Sequence, residues 1–100
     1  MESLSELLAT ASAEVEGAED TAALEQVRVR YLGKKGAFTE RLKGLSRLPG
    51  DQRRDAGREI NDAKGKLEAL IAARRESLSA QALAMRLQRE LLWWLYAGAS

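Results

Sequence analysis

The chain has 100 residues, a net charge of +1, a single proline (Pro49), and neither cysteine nor histidine, so it is bounded to one small domain with a thin core. Without cysteine there is no disulfide framework or thiolate metal site, and without histidine the commonest general base and metal ligand are both gone. Met1–Glu6 lacks the layout of a signal peptide, and the longest apolar run, Leu91–Ala97, falls far short of the roughly 20 residues of a membrane span, so no membrane association is expected.

Leu4, Leu7, Leu8, Ala11 and Val15 recur at helical spacing and predict a first helix over about 3–17. Ser3 or Ser5 is placed to cap it and Gly17 to end it. A second helix, about 20–32, starts at Asp20 or Thr21, with Glu25 close enough to assist the cap and Leu24, Val27 and Tyr31 as its apolar face. The stretch Gly33-Lys34-Lys35-Gly36 interrupts the period, since each glycine weakens a helix by about 1 kcal/mol. Phe38, Leu42, Leu45 and Leu48 then mark a third helix over about 37–47, and Leu48-Pro49-Gly50-Asp51 reads as a turn.

From about 51 to 96 no proline intervenes, and a helix of that length reaches roughly 70 Å. Ile60, Ala63, Leu67, Leu70, Ile71, Leu78, Met85 and Leu92 mark its apolar seam, with Arg74, Gln81 and Gln88 breaking strict heptads. Arg74 is expected to lay its stem over apolar surface, and Asn61 to sit at the seam edge and pin the register. Residues 97–100 read as a flexible tail. The expected fold is all-α: an antiparallel helical hairpin or coiled coil, with the short N-terminal helix packed at its base, in a single domain over 1–96.

Charge is unevenly distributed. Residues 1–27 carry seven acids and no base, whereas residues 28–54 carry nine bases against Glu40 and Asp51. Arg28, Arg30, Lys34, Lys35, Arg41 and Lys43 are the candidate nucleic-acid contacts, because lysine and arginine neutralise phosphates and flanking glycines admit a close backbone approach. Lys34 and Lys35 are the sharpest of these. The bland alternative is a solvated face balanced by the acidic first helix. Arg53, Arg54 and Arg58, beside Asp51, Asp55 and Glu59, read as surface pairs. Tyr31 is in register with Leu24 and Val27, which favours core packing over stacking on a base. Carboxylate pairs such as Asp51/Asp55 lie among arginines with no apolar pocket, so no catalytic residue, metal or cofactor is expected.

Leu91–Tyr96 places six apolar residues in a row around a full helix circumference, so at least one aromatic faces away from any single partner. Leu92, Trp93, Trp94 and Tyr96 are therefore candidates for a protein contact, the alternatives being packing on the first helix or self-association.

The segment Arg28-Val29-Arg30-Tyr31-Leu32-Gly33-Lys34-Lys35-Gly36 is followed in order by Leu42, Leu45, Leu48-Pro49, Gly57, Ile60-Asn61-Asp62-Ala63-Lys64, Leu67 and Arg74-Arg75. This ordered set resembles the N-terminal coiled-coil domain of the bacterial phenylalanyl-tRNA synthetase alpha subunit, over roughly residues 1–90. The resemblance implies a cytoplasmic tRNA-binding arm that positions tRNA(Phe) for aminoacylation by a class II catalytic domain, in an enzyme completed by a beta subunit. The catalytic motifs of that ligase are not in this chain, so no adenylate chemistry is expected of it alone. One departure stands out: where the family has an extended linker after Glu90, Leu91–Tyr96 continues the helical pattern. The competing reading is an engineered or truncated helical scaffold that binds a protein partner, or itself, through this Trp-rich end.

Overall fold

The computed structural model describes residues 3–98, which form four α-helices and no strand. Helix α1 spans Leu4–Gly17. Ser3 caps it: the Glu6 N–H donates to Ser3 Oγ at 3.1 Å, and the Ser3 N–H donates to the Glu6 carboxylate at 3.4 Å. Two of the helix's orphan donors are thereby satisfied by a reciprocal pair. Its buried face is Leu7, Ala11 and Val15, three positions one turn apart.

Helix α2 spans Thr21–Leu32, with Asp20 as its cap, accepting from the Ala23 N–H at 2.7 Å. Glu25 takes no part in that cap and pairs instead with Arg28 and Arg75. Helix α3, Ala37–Gly44, tightens into a 3₁₀ turn at Leu45–Arg47. Leu48 then adopts extended backbone (φ −94°, ψ 152°), the conformation its proline neighbour imposes. With Pro49 just outside the helix, α4 begins at Gly50 and runs unbroken through Gly57 and Gly65 to Gly98. Its 49 residues correspond to about 73 Å at the standard helical rise, and the molecule measures 76 × 19 × 17 Å. One helix therefore sets the long dimension.

α1, α2 and α3 all pack on α4, and α1 also packs on α2. The Glu25–Arg75 ion pair at 3.2 Å and the approach of Leu45 to Gly57 fix the register: α2 and α3 run back along α4 from its middle to its start. This is an all-α antiparallel hairpin with α1 laid against it. The core is a single cluster in which Leu24, Phe38 and Leu67 are fully enclosed, joined by Val27, Tyr31, Ile60, Ala63, Ile71 and Leu78. Each such aliphatic side chain contributes about 1.5–3 kcal/mol by leaving water.

Several expectations need correction. The α4 seam is buried only as far as Leu78; Met85 and Leu92 are 65% and 60% exposed, because among the described residues no other helix reaches that far. Leu70 is also exposed, turned off the seam by its neighbour Ile71. Asn61 is exposed and pins nothing. Arg74 does more than cover apolar surface: its Nη2 donates to the Ala18 carbonyl at 2.9 Å. It thereby satisfies an acceptor at the C-terminal end of α1 and ties that end to α4. Ala97 and Gly98 continue the helix where a tail was expected; residues 99–100 of that tail lie outside the described residues. Among the described residues no helix is long and apolar enough to cross a membrane.

Candidate nucleic-acid interface

The link between α2 and α3 is a tight turn whose geometry explains its two glycines. The Gly36 N–H donates to the Gly33 carbonyl at 2.9 Å, and Thr39 Oγ1 donates to the same carbonyl at 2.7 Å. A Cβ at Gly36 would stand 2.6 Å from the Tyr31 carbonyl oxygen, and one at Gly33 would stand 2.5 Å from that of Val29. Both positions therefore exclude any side chain. Beneath the turn Tyr31 is buried and its ring packs against Phe38, with centroids 6.4 Å apart. It is a core residue and offers no face for a base.

The two lysines between the glycines are exposed. Neither Lys34 nor Lys35 is in an ion pair among the described residues, and Lys43 Nζ lies 3.4 Å from the Lys34 carbonyl. This gathers three ammonium-bearing residues at one short turn. The rest of the candidate set divides differently. Arg28 is held by Glu25 through both Nε and Nη2. Arg30 reaches across to Glu14 on α1. Lys43 lies 3.7 Å from Glu40, and Arg41 is half-buried on α3. The acidic first helix thus neutralises part of the basic segment, as the bland reading required, but leaves the glycine-flanked lysines untouched. The Arg28 hydrogen bond is the main reason the Glu25 carboxyl sits below its usual range; the charges of Arg28 and Arg75 add to it, against an opposing effect of desolvation.

Two further cations were missed from the sequence. Interpolating between the two register ties sets about residues 65–68 of α4 at the level of the Gly33–Gly36 turn, which brings exposed Lys66 and the exposed acid Glu68 to that level, with half-buried Lys64 just beyond. The signal was available: both stretches lie at similar distances along the chain from the Pro49 turn.

At the other end, Leu92, Trp93, Trp94 and Tyr96 are 60%, 69%, 74% and 85% exposed. None packs on α1, and the structure does not bring them near the lysine turn. Among the described residues there is no cluster of three or more acidic side chains placed to hold a metal ion.

Comparison with known proteins gives this geometry a family. Residues 19–87 match the N-terminal domain of class II aminoacyl-tRNA synthetases. A phenylalanine–tRNA ligase alpha subunit from Vibrio parahaemolyticus is 47% identical over 92 residues, covering 92% of this chain and 28% of that protein. The alpha subunit from an Azoarcus species is 48% identical over 92% of this chain and 27% of its own length. That from Chromohalobacter salexigens is 49% identical over 90% of this chain and 26% of its own length. The chain thus spans little more than a quarter of the relatives it matches. With the family profile covering most of the helical hairpin, the chain belongs to the family of N-terminal domains of class II aminoacyl-tRNA synthetases, in its phenylalanine–tRNA ligase alpha-subunit branch.

Proposed function

We propose that this domain is the tRNA-binding arm of a cytoplasmic phenylalanine–tRNA ligase, positioning tRNA(Phe) for aminoacylation without taking part in the chemistry. In this reading the ATP and phenylalanine sites belong to a catalytic domain, and a beta subunit completes the enzyme. The single observation that carries the proposal is the Gly33–Gly36 turn. It leaves Lys34 and Lys35 exposed, with no ion pair among the described residues, on backbone too tight to accept a side chain at either flank. Such a turn meets a phosphate backbone with fixed charge and little steric obstruction. Lys43, Lys64 and Lys66 extend the positive surface, and Arg28, Arg30 and Arg41 border it. Recognition here is electrostatic and shape-directed, since no exposed aromatic stands by the turn to stack on a base.

The test is a titration of tRNA(Phe) with the chain and with its Lys34→Glu/Lys35→Glu variant across a range of salt. The parent is expected to lose affinity steeply as salt rises. The variant is expected to bind at least about tenfold more weakly, with a salt slope shallower by roughly 2. Equal binding by the two proteins overturns the assignment.

A further inference from the structure

Arg30 stands in the last turn of α2, just ahead of the Gly33–Gly36 link, and its side chain is 56% exposed. Charge and position alone suit it to a phosphate. The fold gives it another partner. Its Nη1 donates to Glu14 Oε1 across the cleft between α1 and α2, which Gln26 and Val27 also line. This pair differs in kind from that of Arg28 with Glu25. Those two are three residues apart on one helix and pair on any helix that carries them. Arg30 and Glu14 are 16 residues apart and meet only because α1 docks on the hairpin.

We propose that Glu14 withholds Arg30 from RNA and so confines phosphate contact to the glycine-flanked lysines, a role that rests on the RNA-binding reading above. The backbone of Glu14 is fixed. Leu7, Ala11 and Val15 of the same helix are buried, and one turn beyond Glu14 the Ala18 carbonyl accepts from Arg74. Its carboxylate is half-buried as well: Oε2 is enclosed and accepts no hydrogen bond. A phosphate that drew Arg30 away would leave that carboxylate without its compensating cation, which costs more than parting a fully exposed pair. Glu14 also repels any phosphate approaching the guanidinium it holds, since the two lie well within a screening length of about 10 Å.

Lys34 and Lys35 have no such partner among the described residues. The turn therefore offers its charge directly, while the last turn of α2 beside it offers little. Phosphate contacts carry no sequence information, so each withheld cation lowers affinity for RNA of every sequence. What remains depends more heavily on how a phosphate backbone fits the lysine turn.

The experiment is a double-mutant cycle of Glu14→Gln and Arg30→Gln, read by titrating the full chain with single-stranded poly(U) across a range of salt. Glu16→Gln is the control, because Glu16 is an exposed acid of the same helix with no ion pair among the described residues. Glu14→Gln is expected to bind about three- to tenfold more tightly than the parent, with a salt slope steeper by roughly 1, as Arg30 becomes a phosphate contact. Glu16→Gln is expected to gain less than about twofold, with its slope unchanged. On the Arg30→Gln background, Glu14→Gln is expected to gain no more than Glu16→Gln does. Arg30→Gln alone is expected to leave the slope of the parent unchanged, whereas Lys35→Gln makes it shallower by roughly 1. That comparison decides the matter even where Glu14→Gln loses helical circular dichroism. Equal gains from Glu14→Gln and Glu16→Gln, a Glu14→Gln gain that survives Arg30→Gln, a slope made shallower by Arg30→Gln alone, or no binding of poly(U) by any of these proteins at low salt would each overturn the proposal. The tRNA(Phe) reading falls separately, with the Lys34/Lys35 variant, which leaves Glu14 and Arg30 in place.

Discussion

Residues 50–78 and 79–98 belong to one helix with one seam, yet the first stretch is half of a core and the second stands bare. Leu67 is fully buried and Leu92, in the same phase, is 60% exposed, although both occupy the same backbone conformation in sequences of similar helical propensity. The difference lies in what comes back across the Pro49 turn. The segment from Asp20 to Leu48 is long enough to cover α4 from its start to about Leu78, and α1 folds onto the same stretch. Beyond that level none of the described residues before Pro49 lies against α4. Helix formation and helix burial are thus separate events here: the first is local, and the second is decided by the length of the returning strand of the hairpin.

The largest effect that tests this division is expected from paired truncations. Leu67→Ala removes a fully enclosed side chain and is expected to cost about 2–5 kcal/mol, read as a lowered denaturant midpoint. Leu92→Ala is expected to change stability by less than about 0.5 kcal/mol. Similar costs at the two sites would mean that the helix end is covered within the monomer.

Glycines provide an intermediate contrast. Gly36→Ala sets a methyl group 2.6 Å from the Tyr31 carbonyl oxygen and is expected to destabilise by about 1–3 kcal/mol, the cost of forcing atoms into filled space. Gly65→Ala meets nothing within 4 Å and is expected to stabilise by up to about 1 kcal/mol through helix propensity alone. Thermal unfolding of the two variants in opposite directions checks both.

The smallest effect is electrostatic. The folded Glu25 carboxyl titrates below its ordinary value because Arg28 hydrogen-bonds it, aided by the charges of Arg28 and Arg75. A lowered carboxylate pKa stabilises the fold above the unfolded-state value, and that contribution is lost as pH falls through the folded one. Glu25→Gln is therefore expected to flatten slightly the acid side of the stability–pH curve, and to do so less at high salt, since the pair is solvent-exposed. An unchanged curve would show that the pairs of Glu25 with Arg28 and Arg75 contribute nothing.

Much of the hairpin was legible before any coordinates. Leu48-Pro49 marked the reversal because proline forbids its neighbour the helical region, and the three- and four-residue spacings from Ile60 to Ile71 marked the buried stripe. The glycine-flanked lysines were legible as an interruption, though the reason for the glycines was not: it lies in carbonyl oxygens of Val29 and Tyr31 that only the folded turn brings close. Asn61 was misplaced, and the partner of Arg74 missed, for a related reason. A heptad pattern locates a residue on a face, but whether an amide meets solvent or a guanidinium meets the Ala18 carbonyl depends on where a segment some 56 residues away comes to rest. The ion pair of Arg30 with Glu14 was likewise invisible in the charge pattern, which told only that opposite charges were available.

The sequence by itself determined that this chain is helical, where it turns back, which stripe of the long helix is apolar, and that two lysines are held between glycines. These follow from local backbone chemistry and from periodicity, which act over a few residues. Only the tertiary structure decided how far along that stripe the cover extends, which cations are neutralised and which remain open, and that Met85, Leu92 and the tryptophans stay in water. Those outcomes depend on the relative placement of segments distant in the chain, and no pattern confined to one segment carries that distance.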